Sequence, residues 1–538
     1  MHRRRNRDIL SAFLPLGLVC NQPPVPHLLS FSGFPVMHDL RNRPLRSLPA
    51  LPSIVIGRTT LGISTALLGT LLLLFSGSLL ASEGGAAHLN LTTTWVGFTS
   101  LLIFVVAYGL VMTEEFTHLR KSKPVMLAAG AIWLLIAYYY STHHGSPHAA
   151  AEAVRHNIME FGELFLFLLA AMTYINTMEE RLVFDALRSW LLRMGFGYRT
   201  LFWMTGFLAF FISPVADNLT TALLMCAVVM AVGADSPKFV GLACINIVIA
   251  ANAGGAFSPF GDITTLMVWQ KGLLHFETFF RLFIPSLVSF AVPAWFMHKE
   301  IPDIKPPPSN ERVRMKRGAI RVVLLFIATI GTAVSFHNYY HLPPVLGMMT
   351  GLAYLSFFSY YLNMTGEMST VRAGNIEDSM PFNIFNKVAR AEWDTLMFFY
   401  GVILCVGALG FIGYLELVSH VAYDGMGPTI ANTLIGILSA IVDNIPVMFA
   451  VLTMNPDMSQ GQWLLVTLTA GVGGSLLSIG SAAGVALMGQ SKGMYTFFGH
   501  LKWMPYIAAG YFASILCHFI INFGTFKLPA GLVSATTG

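Results

Sequence analysis

Continuous apolar runs, rather than alternating apolar and polar positions, recur along most of this chain. A run of about 18 apolar residues is long enough to cross the hydrocarbon core of a bilayer as a helix. The pattern predicts spans at 89–112, 124–140, 158–178, 238–270, 279–297, 319–336, 343–362, 394–415, 461–490 and 503–523. Barrel strands would alternate in polarity. The predicted fold is therefore an all-α polytopic membrane protein with about ten transmembrane helices.

Two further apolar segments, 200–233 and 428–455, each contain polar residues near the middle. Cytoplasmic loops of membrane proteins carry an excess of Lys and Arg. Basic residues accordingly mark the connections 118–123, 179–199 and 298–317 as cytoplasmic. The assignment of all connections to one side or the other is consistent only if each interrupted segment returns to the side from which it came. We therefore expect two re-entrant hairpins, the first from the inside and the second from the outside.

The overall composition agrees with a membrane protein. Of 538 residues, 55% are hydrophobic and 11% are charged, whereas soluble proteins carry about 25% charged residues. These values exclude a soluble enzyme, a disordered scaffold and a nucleic-acid binder. The net charge of +5 is explained by topology and does not require an acidic partner. The expected partner is membrane lipid, no cofactor is expected, and a homodimer is one assembly that the sequence leaves open.

The basic linker 298–318 separates two halves, 83–297 and 319–525, each with five spans and one hairpin. The first half starts outside and the second inside, which predicts an inverted-topology repeat of the kind common among secondary transporters. Similar residues occur in the same order in both halves. Asp217-Asn218 matches Asp443-Asn444, Gly254-Gly255 with Gly261 matches Gly473-Gly474 with Gly480, and Glu163 matches Asp394.

Both ends of the chain lie outside this repeat. Residues 1–82 form a basic, Pro-rich extension that ends in the apolar run 61–80. This arrangement resembles a secretory signal peptide, but an uncleaved first helix is an equally good interpretation, and Met37 is an alternative start. Residues 526–538 form a C-terminal tail.

Four places at membrane depth combine Gly or Pro with small polar residues: 213–221, 252–265, 443–446 and 471–484. Backbone can leave helical hydrogen bonding inside a membrane only where it lines a protein cavity. Carbonyl oxygens freed at such interruptions coordinate Na⁺ in transporters. The sequence therefore predicts broken helices that surround an ion-binding cavity.

Three carboxylates, Asp217, Asp262 and Asp443, lie in these interruptions. An unpaired Asp costs roughly 2.5–3.5 kcal/mol at the centre of a membrane helix, so each needs an ion or a proton. A site that accepts either one can exchange Na⁺ for H⁺, and we predict Asp217 and Asp443 as Na⁺ ligands. Capping of a half-helix N-terminus is the alternative interpretation for these two residues, and it is compatible with ion binding.

Other ionisable residues lie near the ends of spans. Glu160 and Glu163 share one helical face at the outer start of the third span, and Asp394 lies at the inner start of the eighth. A proton path or pH sensing is one interpretation, and ordinary interfacial residues are the other. The His-rich connection 141–156 permits a pH sensor or a weak metal site, although a solvated loop is favoured.

Three motifs together resemble the NhaD-type sodium/proton antiporters of the ion-transporter superfamily. They are Ser-Pro-Val-Ala-Asp-Asn-Leu-Thr-Thr-Ala (213–222), Asn-Ala-Gly-Gly-Ala-Phe-Ser-Pro-Phe-Gly-Asp-Ile-Thr-Thr-Leu (252–266) and Val-Asp-Asn-Ile-Pro-Val (442–447). The resemblance covers roughly 89–525. It implies a multi-pass protein of the bacterial inner membrane that exchanges cytoplasmic Na⁺, or Li⁺, for external H⁺ and so supports sodium extrusion and pH homeostasis.

The resemblance also assigns residues to the transport site. Asp217, Asn218, Thr220 and Thr221 would form the first hairpin tip, Ser258, Asp262 and Thr264 the facing unwound helix, and Asp443 and Asn444 the second tip, facing Ser478 and Ser481. In superfamily members with this layout, the hairpins and broken helices form a transport domain that slides against a scaffold.

A sodium-coupled carboxylate or other anion symporter of the same superfamily is the alternative. The hairpin tips of those relatives carry neutral Ser-Asn-Thr, whereas both tips here carry Asp. Fixed negative charge opposes the binding of an anion. The second tip also has Ile445-Pro446 where Thr is expected, so the two halves are not equivalent. A metal-dependent membrane enzyme is disfavoured because no HExxH motif lies in the spans.

Overall fold

The structure is a computed structural model of the chain, and it describes residues 90–117, 119–143, 147–233, 235–305, 312–373 and 382–527. The predictions for the extension 1–82 and for residues 528–538 of the tail lie outside the described residues. Within the described part, the ordered elements are helices, and no strand is present there. The all-α prediction is confirmed for this part of the chain.

The described part of the first half contains ten α-helices. They are α1 (Trp95–Met112), α2 (Glu114–Thr117), α3 (Ser122–Thr142), α4 (Pro147–Glu180), α5 (Val183–Arg193), α6 (Tyr198–Ala216), α7 (Asn218–Gly233), α8 (Pro237–Gly255), α9 (Ile263–Gln270) and α10 (Phe283–His298), with a 3₁₀ helix at Phe276–Leu282. The amphipathic helix α5 connects the long helix α4 to α6.

The described part of the second half contains eleven α-helices. They are α11 (Ala319–Tyr340), α12 (Pro344–Ala373), α13 (Ile384–Val388), α14 (Trp393–Ile412), α15 (Tyr414–Ser419), α16 (Pro428–Leu438), α17 (Asn444–Met454), α18 (Gln460–Gly473), α19 (Ala482–Gln490), α20 (Phe497–Leu501) and α21 (Met504–Ile521). A π-helical turn at His420–Gly425 and a 3₁₀ helix at Phe523–Phe526 complete the set.

Ten helices among the described residues are long and apolar enough to cross a membrane. The number agrees with the prediction, but the membership differs. Helix α6, which was placed in the first hairpin, has 19 residues and belongs to the ten, whereas the predicted span 461–490 is divided into the shorter helices α18 and α19. The division follows from the run Ser475–Ser481, which leaves the helical conformation between them.

Helix α4 is longer than the predicted span 158–178. It begins at Pro147 and therefore includes much of the connection 141–156 that was expected to be a solvated loop. Proline is favoured in the first turn of a helix, and the following Ala149, Ala150 and Ala151 have high helix propensity. The expectation of a loop at 147–156 was therefore wrong.

Helices end at each of the four predicted interruptions. Asp217 separates α6 from α7 with a positive φ of 58°, which is rare for a residue other than Gly. Asp262 and Ser481 are the N-caps of α9 and α19, and Asp443 precedes α17. The interruptions therefore produce four short helices whose N-terminal ends carry the polar residues of the motifs.

Helix packing follows the same pattern in both halves. Helix α6 packs on α8 as α16 packs on α18, and α7 contacts α19 as α17 contacts α9. The pattern extends to matched atoms, since Ser213 Oγ donates to the carbonyl of Ala251 at 2.7 Å and Ser439 Oγ donates to the carbonyl of Ala470 at 2.9 Å. These contacts are the counterparts of one another in the sequence repeat.

Helices α3, α4 and α14 form a framework beside these elements. Ser122 Oγ at the start of α3 donates to Asp394 Oδ1 at 2.5 Å, and Trp133 Nε1 donates to the carbonyl of Leu404 at 2.9 Å. A side chain at Gly401 would overlap Val125, so α3 and α14 approach closely. The start of α3 is therefore held at a fixed position relative to α14.

Candidate functional site

One cavity of about 130 Å³ brings the hairpin tips and the broken helices together. The predicted site residues that line it are Asp217, Asn218, Thr220, Asp262, Asp443, Asn444 and Ser481. They come from both halves of the chain. The cavity is also lined by Lys121, Arg390 and Glu392, which belong to segments near the predicted cytoplasmic side.

Asp262 is the residue at which the two hairpin tips meet. Its side chain is buried, with 6% of the residue exposed. The amide of Asn218 donates to Asp262 Oδ2 at 3.0 Å, and the amide of Asn444 approaches the same oxygen at 3.3 Å. The other oxygen accepts the backbone N–H of Thr264 at 3.0 Å and so caps α9. All these donors are neutral, so the negative charge of the carboxylate has no cationic partner among them.

Glycines allow this close approach. A Cβ added at Gly255 would overlap Oδ1 of Asn218, and a Cβ added at Gly471 would lie 3.6 Å from Oδ2 of Asp262. Only a residue without a side chain lets α8 approach the first hairpin tip in this way. Gly255 therefore matters for the position of Asn218, whereas the Gly471 distance is an ordinary contact with Asp262.

Asp217 caps helix α7 with both carboxylate oxygens. Oδ1 accepts the backbone N–H of Thr220 at 2.8 Å, and Oδ2 accepts the hydroxyl of the same residue at 2.8 Å. The capping interpretation therefore applies to Asp217. Because each carboxylate oxygen has more than one acceptor position and the residue lines the cavity, capping leaves room for a bound cation.

Asp443 has a different environment from its counterpart. No hydrogen bond from its side chain caps α17. Instead, its Oδ2 lies 4.0 Å from Nζ of Lys121, and the two side chains are 19% and 18% exposed. The same ammonium lies 4.7 Å from the ring centroid of Phe398. Lys121 served the sequence analysis only as a topology marker, and its place in the site was missed.

Asn252 is a second residue of the site that sequence reasoning did not single out, although it begins the motif 252–266. It lines the cavity with 1% of its surface exposed. Its amide donates to Ser475 Oγ at 2.9 Å and to Ser481 Oγ at 3.0 Å. Ser481 also accepts the N–H of Gly484 at 3.3 Å and caps α19. The first half therefore fixes the broken helix of the second half.

His500 supports the same unwound segment from the side of α20. It is fully buried, and its Nε2 lies 2.9 Å from the carbonyl oxygen of Ser475. Its Nδ1 lies 2.8 Å from the hydroxyl of Tyr495. A neutral imidazole satisfies both contacts, because Nε2–H donates to the carbonyl and Nδ1 accepts from the phenol. Burial lowers the pKa of His500 to about 4.

Comparison with known proteins identifies the relatives of this chain. A family model described as a citrate transporter matches residues 54–471. The chain is 58% identical to the Na(+)/H(+) antiporter NhaD of Alkalimonas amylolytica, over 86% of this chain and 98% of that protein. The corresponding antiporter of Vibrio parahaemolyticus is 63% identical over 73% of this chain and 98% of that protein. Sodium/proton antiporter 1 of Arabidopsis thaliana is 31% identical over 84% of this chain and 77% of that protein.

The chain belongs to the NhaD family of sodium/proton antiporters. The resemblance read from the three motifs is thereby confirmed, and the family is one of transporters. The name of the matching family model corresponds to the anion-transporter alternative, whereas the relatives at 54–63% identity carry the antiporter name.

Four residues that the NhaD-type motifs placed at the site do not line the cavity. They are Thr221, Ser258, Thr264 and Ser478. Ser258 Oγ instead donates to the carbonyl of Pro214 at 2.9 Å. The hydroxyls of the other three are buried, and none has a hydrogen-bond partner within the described part of the chain.

The predicted proton-path residues Glu160, Glu163 and Asp394 also lie outside the cavity lining of this NhaD-family protein. Glu160 forms a salt bridge with Lys271 and lies 3.0 Å from His156 Nε2. Asp394 accepts a hydrogen bond from the hydroxyl of Ser122. The structure therefore does not join these three acids to Asp262 through direct contacts.

An aromatic cluster packs beside the cavity. Phe167 and Phe260 line the cavity with ring centroids 5.4 Å apart. Trp269 packs on Phe260 at 5.7 Å and on Phe276 at 5.6 Å. Phe167 and Trp269 have little or no exposed surface. The cluster therefore connects two residues of the cavity lining with Trp269, which lies two residues before Lys271.

The polar residues of the lining suit a hard cation such as Na⁺ as cargo. Carboxylate, amide and hydroxyl oxygens are the ligands that such cations prefer. Within the described residues, however, no three His, Cys, Asp or Glu side chains are grouped closely enough to hold a metal ion. The three aspartates therefore share one cavity without forming a preassembled site of three carboxylates.

Proposed function

We propose that this protein is a secondary active transporter that exchanges cytoplasmic Na⁺, or Li⁺, for external H⁺. The observation that carries the proposal is the buried Asp262 carboxylate, held by neutral amides from both hairpin tips and sharing one cavity with Asp217 and Asp443. A charge held in this way requires a cation or a proton to neutralise it. Because Na⁺ and H⁺ compete for the same oxygens, release of one is linked to binding of the other.

The site is also proposed to move between the two sides of the membrane. We propose that α6–α9 and α16–α19 form a transport domain arranged as an inverted repeat, with the two hairpins re-entrant. Helices α3, α4 and α14 belong to the scaffold. The Lys121–Asp443 and Lys271–Glu160 pairs each join one group to the other. Both pairs must separate when the transport domain slides.

Glu160, Glu163 and Asp394 are proposed to act in proton supply or pH sensing. Glu163 lies one helical turn from Glu160 on α4, on the face that approaches Lys271. Asp394 is held by Ser122 at the opposite, predicted cytoplasmic, end of the framework. Glu160 and Glu163 therefore lie near the outer mouth of the proposed pathway, and Asp394 lies near its cytoplasmic mouth.

The cellular setting is proposed from the relatives and the surface. Close relatives are named antiporters of bacteria, Alkalimonas amylolytica and Vibrio parahaemolyticus, which supports a place in the bacterial inner membrane and roles in sodium extrusion and pH homeostasis. The exposed apolar side chains of α1 and α11 fit contact with lipid or, in a homodimer, with a second copy. Cross-linking of the reconstituted protein distinguishes these two.

A dissipation assay of the proton gradient in everted membrane vesicles tests the proposed exchange. Addition of Na⁺ or Li⁺ to vesicles with the wild-type protein is expected to restore acridine orange fluorescence. Asp262→Asn keeps the size of the side chain but removes its charge, and we expect it to abolish the response. The matched control is Asp235→Asn, since Asp235 is exposed in the connection between α7 and α8.

Two results contradict the proposal. A full Na⁺ response with Asp262→Asn would show that this carboxylate does not exchange ions. Na⁺-dependent uptake of labelled citrate or succinate, without Na⁺-dependent proton movement, would instead establish the anion symporter. The second result is not expected, because the cavity places three aspartates where an anion would have to bind.

A further inference from the structure

A second cavity, of about 680 Å³, lies between the amphipathic helix α5, the linker and the first turn of α11. We call it the basic groove. All the charged side chains that line it within the described residues are basic: Arg193, Arg314, Lys316, Arg317 and Arg321. No salt bridge joins Arg314, Lys316 or Arg321 to a carboxylate of the described part of the chain.

Hydrogen bonds fix the walls of the groove. The backbone N–H of Val313 donates to Ser189 Oγ on α5 at 3.1 Å, and that of Lys316 donates to the carbonyl of Arg181 at 3.0 Å. The guanidinium of Arg317 donates to the carbonyl of Thr365 at 3.0 Å and to its hydroxyl at 2.8 Å. The linker is therefore attached both to the α5 region and to α12, and its basic side chains are held near one another.

Convergence of like charges favours an anionic ligand. Cations that share a groove repel one another, and a bound anion removes this repulsion. Arg and Lys form strong charge-assisted hydrogen bonds with phosphate oxygens. The orientation rule explains why basic residues lie on the cytoplasmic side, but it does not require that they surround one cavity. The chemistry of the groove therefore points to a phosphate group.

The apolar surface beside the groove indicates the source of that phosphate. Ile320, Leu324 and Ile327 lie on one face of α11 and are 61%, 59% and 56% exposed. Tyr361 of α12 lines the groove and is 47% exposed, and Trp190 of α5 is 38% exposed. Amphipathic helices and exposed aromatic side chains are typical of the membrane interface. An anionic group with attached acyl chains matches this surface, whereas free phosphate matches only the charges.

We propose that the basic groove binds the headgroup of an anionic phospholipid, with an acyl chain along the Ile320–Leu324–Ile327 face. Arg314, Lys316 and Arg321 contact the phosphate, and Arg317 positions the linker against α12. Basic pockets between membrane helices on the cytoplasmic side bind anionic headgroups in this way. The site lies apart from the Asp262 cavity, and it does not depend on which ion the protein transports.

Native mass spectrometry of the full-length protein tests the proposal. The protein is purified from mixed vesicles of phosphatidylglycerol and phosphatidylcholine, and the retained lipids are counted. The wild type is expected to retain phosphatidylglycerol preferentially. The double variant Arg314→Gln/Arg321→Gln is expected to lose roughly tenfold in this retention. Arg314→Lys/Arg321→Lys keeps the charge and is expected to retain the lipid.

The matched control removes the same charge elsewhere on the predicted cytoplasmic side. Lys123→Gln/Lys305→Gln changes two exposed residues that do not line the groove, and it is expected to leave retention unchanged. An equal loss in the control overturns the proposal in favour of general surface charge. Displacement of the lipid by an equal concentration of inorganic phosphate or glycerol phosphate overturns it in favour of a soluble anion.

A labelling experiment on the wild type covers the case in which the double variant does not fold. A photoreactive phosphatidylglycerol is incorporated into the vesicles, and the labelled peptides are identified. Labelling is expected at 312–327 and is expected to fall when unlabelled phosphatidylglycerol, but not phosphatidylcholine, is added. Labelling confined to other segments contradicts the assignment.

Discussion

The side-chain amide of Asn444 lies 3.3 Å from Oδ2 of Asp262, although 182 residues separate the two in the chain. Asn218 donates to the same oxygen at 3.0 Å from the other hairpin tip. In the sequence repeat, the counterpart of Asp262 is Ser481, which instead accepts the amide of Asn252. The repeat is therefore symmetric in its helices and asymmetric in its charge, and both hairpin tips converge on one carboxylate.

Asn218→Ala and Asn444→Ala are each expected to raise the apparent KM for Na⁺ by roughly 10- to 100-fold. Each removes a hydrogen bond to a buried charged group, worth about 1.5–3 kcal/mol. Loss of a donor favours the protonated carboxylate. Na⁺ must then displace a more tightly held proton, which raises the apparent KM for Na⁺. The measurement is the Na⁺ dependence of gradient dissipation in everted vesicles.

The double variant Asn218→Ala/Asn444→Ala tests the shared carboxylate. Because both amides act on Asp262, the two effects are expected to be non-additive. Free-energy changes that add within about 0.5 kcal/mol would show that the two asparagines act independently. Thermal unfolding of each purified variant separates loss of the site from loss of the fold.

Lys121→Gln is expected to lower the apparent KM for Na⁺ by about fivefold. The ammonium of Lys121 lies 4.0 Å from Asp443 and acts as a tethered cation that Na⁺ must displace. A partly exposed ion pair is worth up to about 1 kcal/mol, which corresponds to this change. The matched control is Lys123→Gln, which removes an exposed charge two residues away.

Lys121→Arg keeps the charge and is expected to stay near the wild-type KM. An increase in KM with Lys121→Gln would contradict competition. It would indicate instead that Lys121 orients Asp443 for ion binding.

Gly255→Ala is expected to abolish Na⁺-dependent proton movement while the protein still folds. The added methyl group would overlap Oδ1 of Asn218 and displace the amide that holds Asp262. Gly130→Ala is the control, because a Cβ at this position in α3 meets no atom within 4 Å. Gly→Ala in a helix otherwise stabilises by roughly 0.5–1 kcal/mol. Wild-type transport by Gly255→Ala would show that the observed packing is not required.

Acid is expected to destabilise the protein partly through His500. Burial lowers the pKa of His500 to about 4, below the ordinary value of about 6.5 in an unfolded chain. The folded state therefore binds fewer protons than the unfolded state between these values. Stability from this group is present above about pH 6.5 and is lost as the pH falls towards 4, by about 3 kcal/mol in total.

The pH dependence of thermal unfolding measures this effect. His500→Gln keeps a donor for the Ser475 carbonyl but removes the titration, so its unfolding midpoint is expected to fall less between pH 7 and pH 5. The buried His518 of α21 remains as an internal reference. An identical pH dependence in wild type and variant contradicts the assignment.

The helices and their interruptions could be predicted because both depend on local sequence. Long apolar runs predict spans, and Gly or Pro beside small polar residues predicts breaks, as at Asp217 and Asp262. The repeat then placed Asn218 and Asn444 at equivalent tips. Hydrophobicity alone predicted one span at 461–490, and only the interruption at 471–484 indicated its division into α18 and α19. The 19-residue length of α6 was not predicted, because its polar residues near Asp217 suggested a shorter hairpin arm.

Individual contacts at the site were less predictable. Thr221 and Thr264 belong to the motifs, yet neither lines the cavity, since helical geometry and not motif membership decides which side chains face a given surface. Lys121 reaches Asp443 from a segment more than 300 positions earlier in the chain, and no local pattern indicates such a contact. Asn252 could have been selected, because an Asn in an apolar helix needs a partner.

The aromatic cluster of Phe167, Phe260 and Trp269 has an electrical consequence. In the proposed orientation, a cavity hydrated from the cytoplasm brings the cytoplasmic potential as far as the aspartates, and the buried rings of the cluster lie towards Lys271 on the predicted outer side. The membrane voltage then falls mainly across this thin layer rather than across the whole bilayer. Moving one elementary charge through it is worth about 2.3 kcal/mol per 100 mV. The aromatic layer therefore concentrates the electric field at the step in which a loaded or empty carboxylate changes sides.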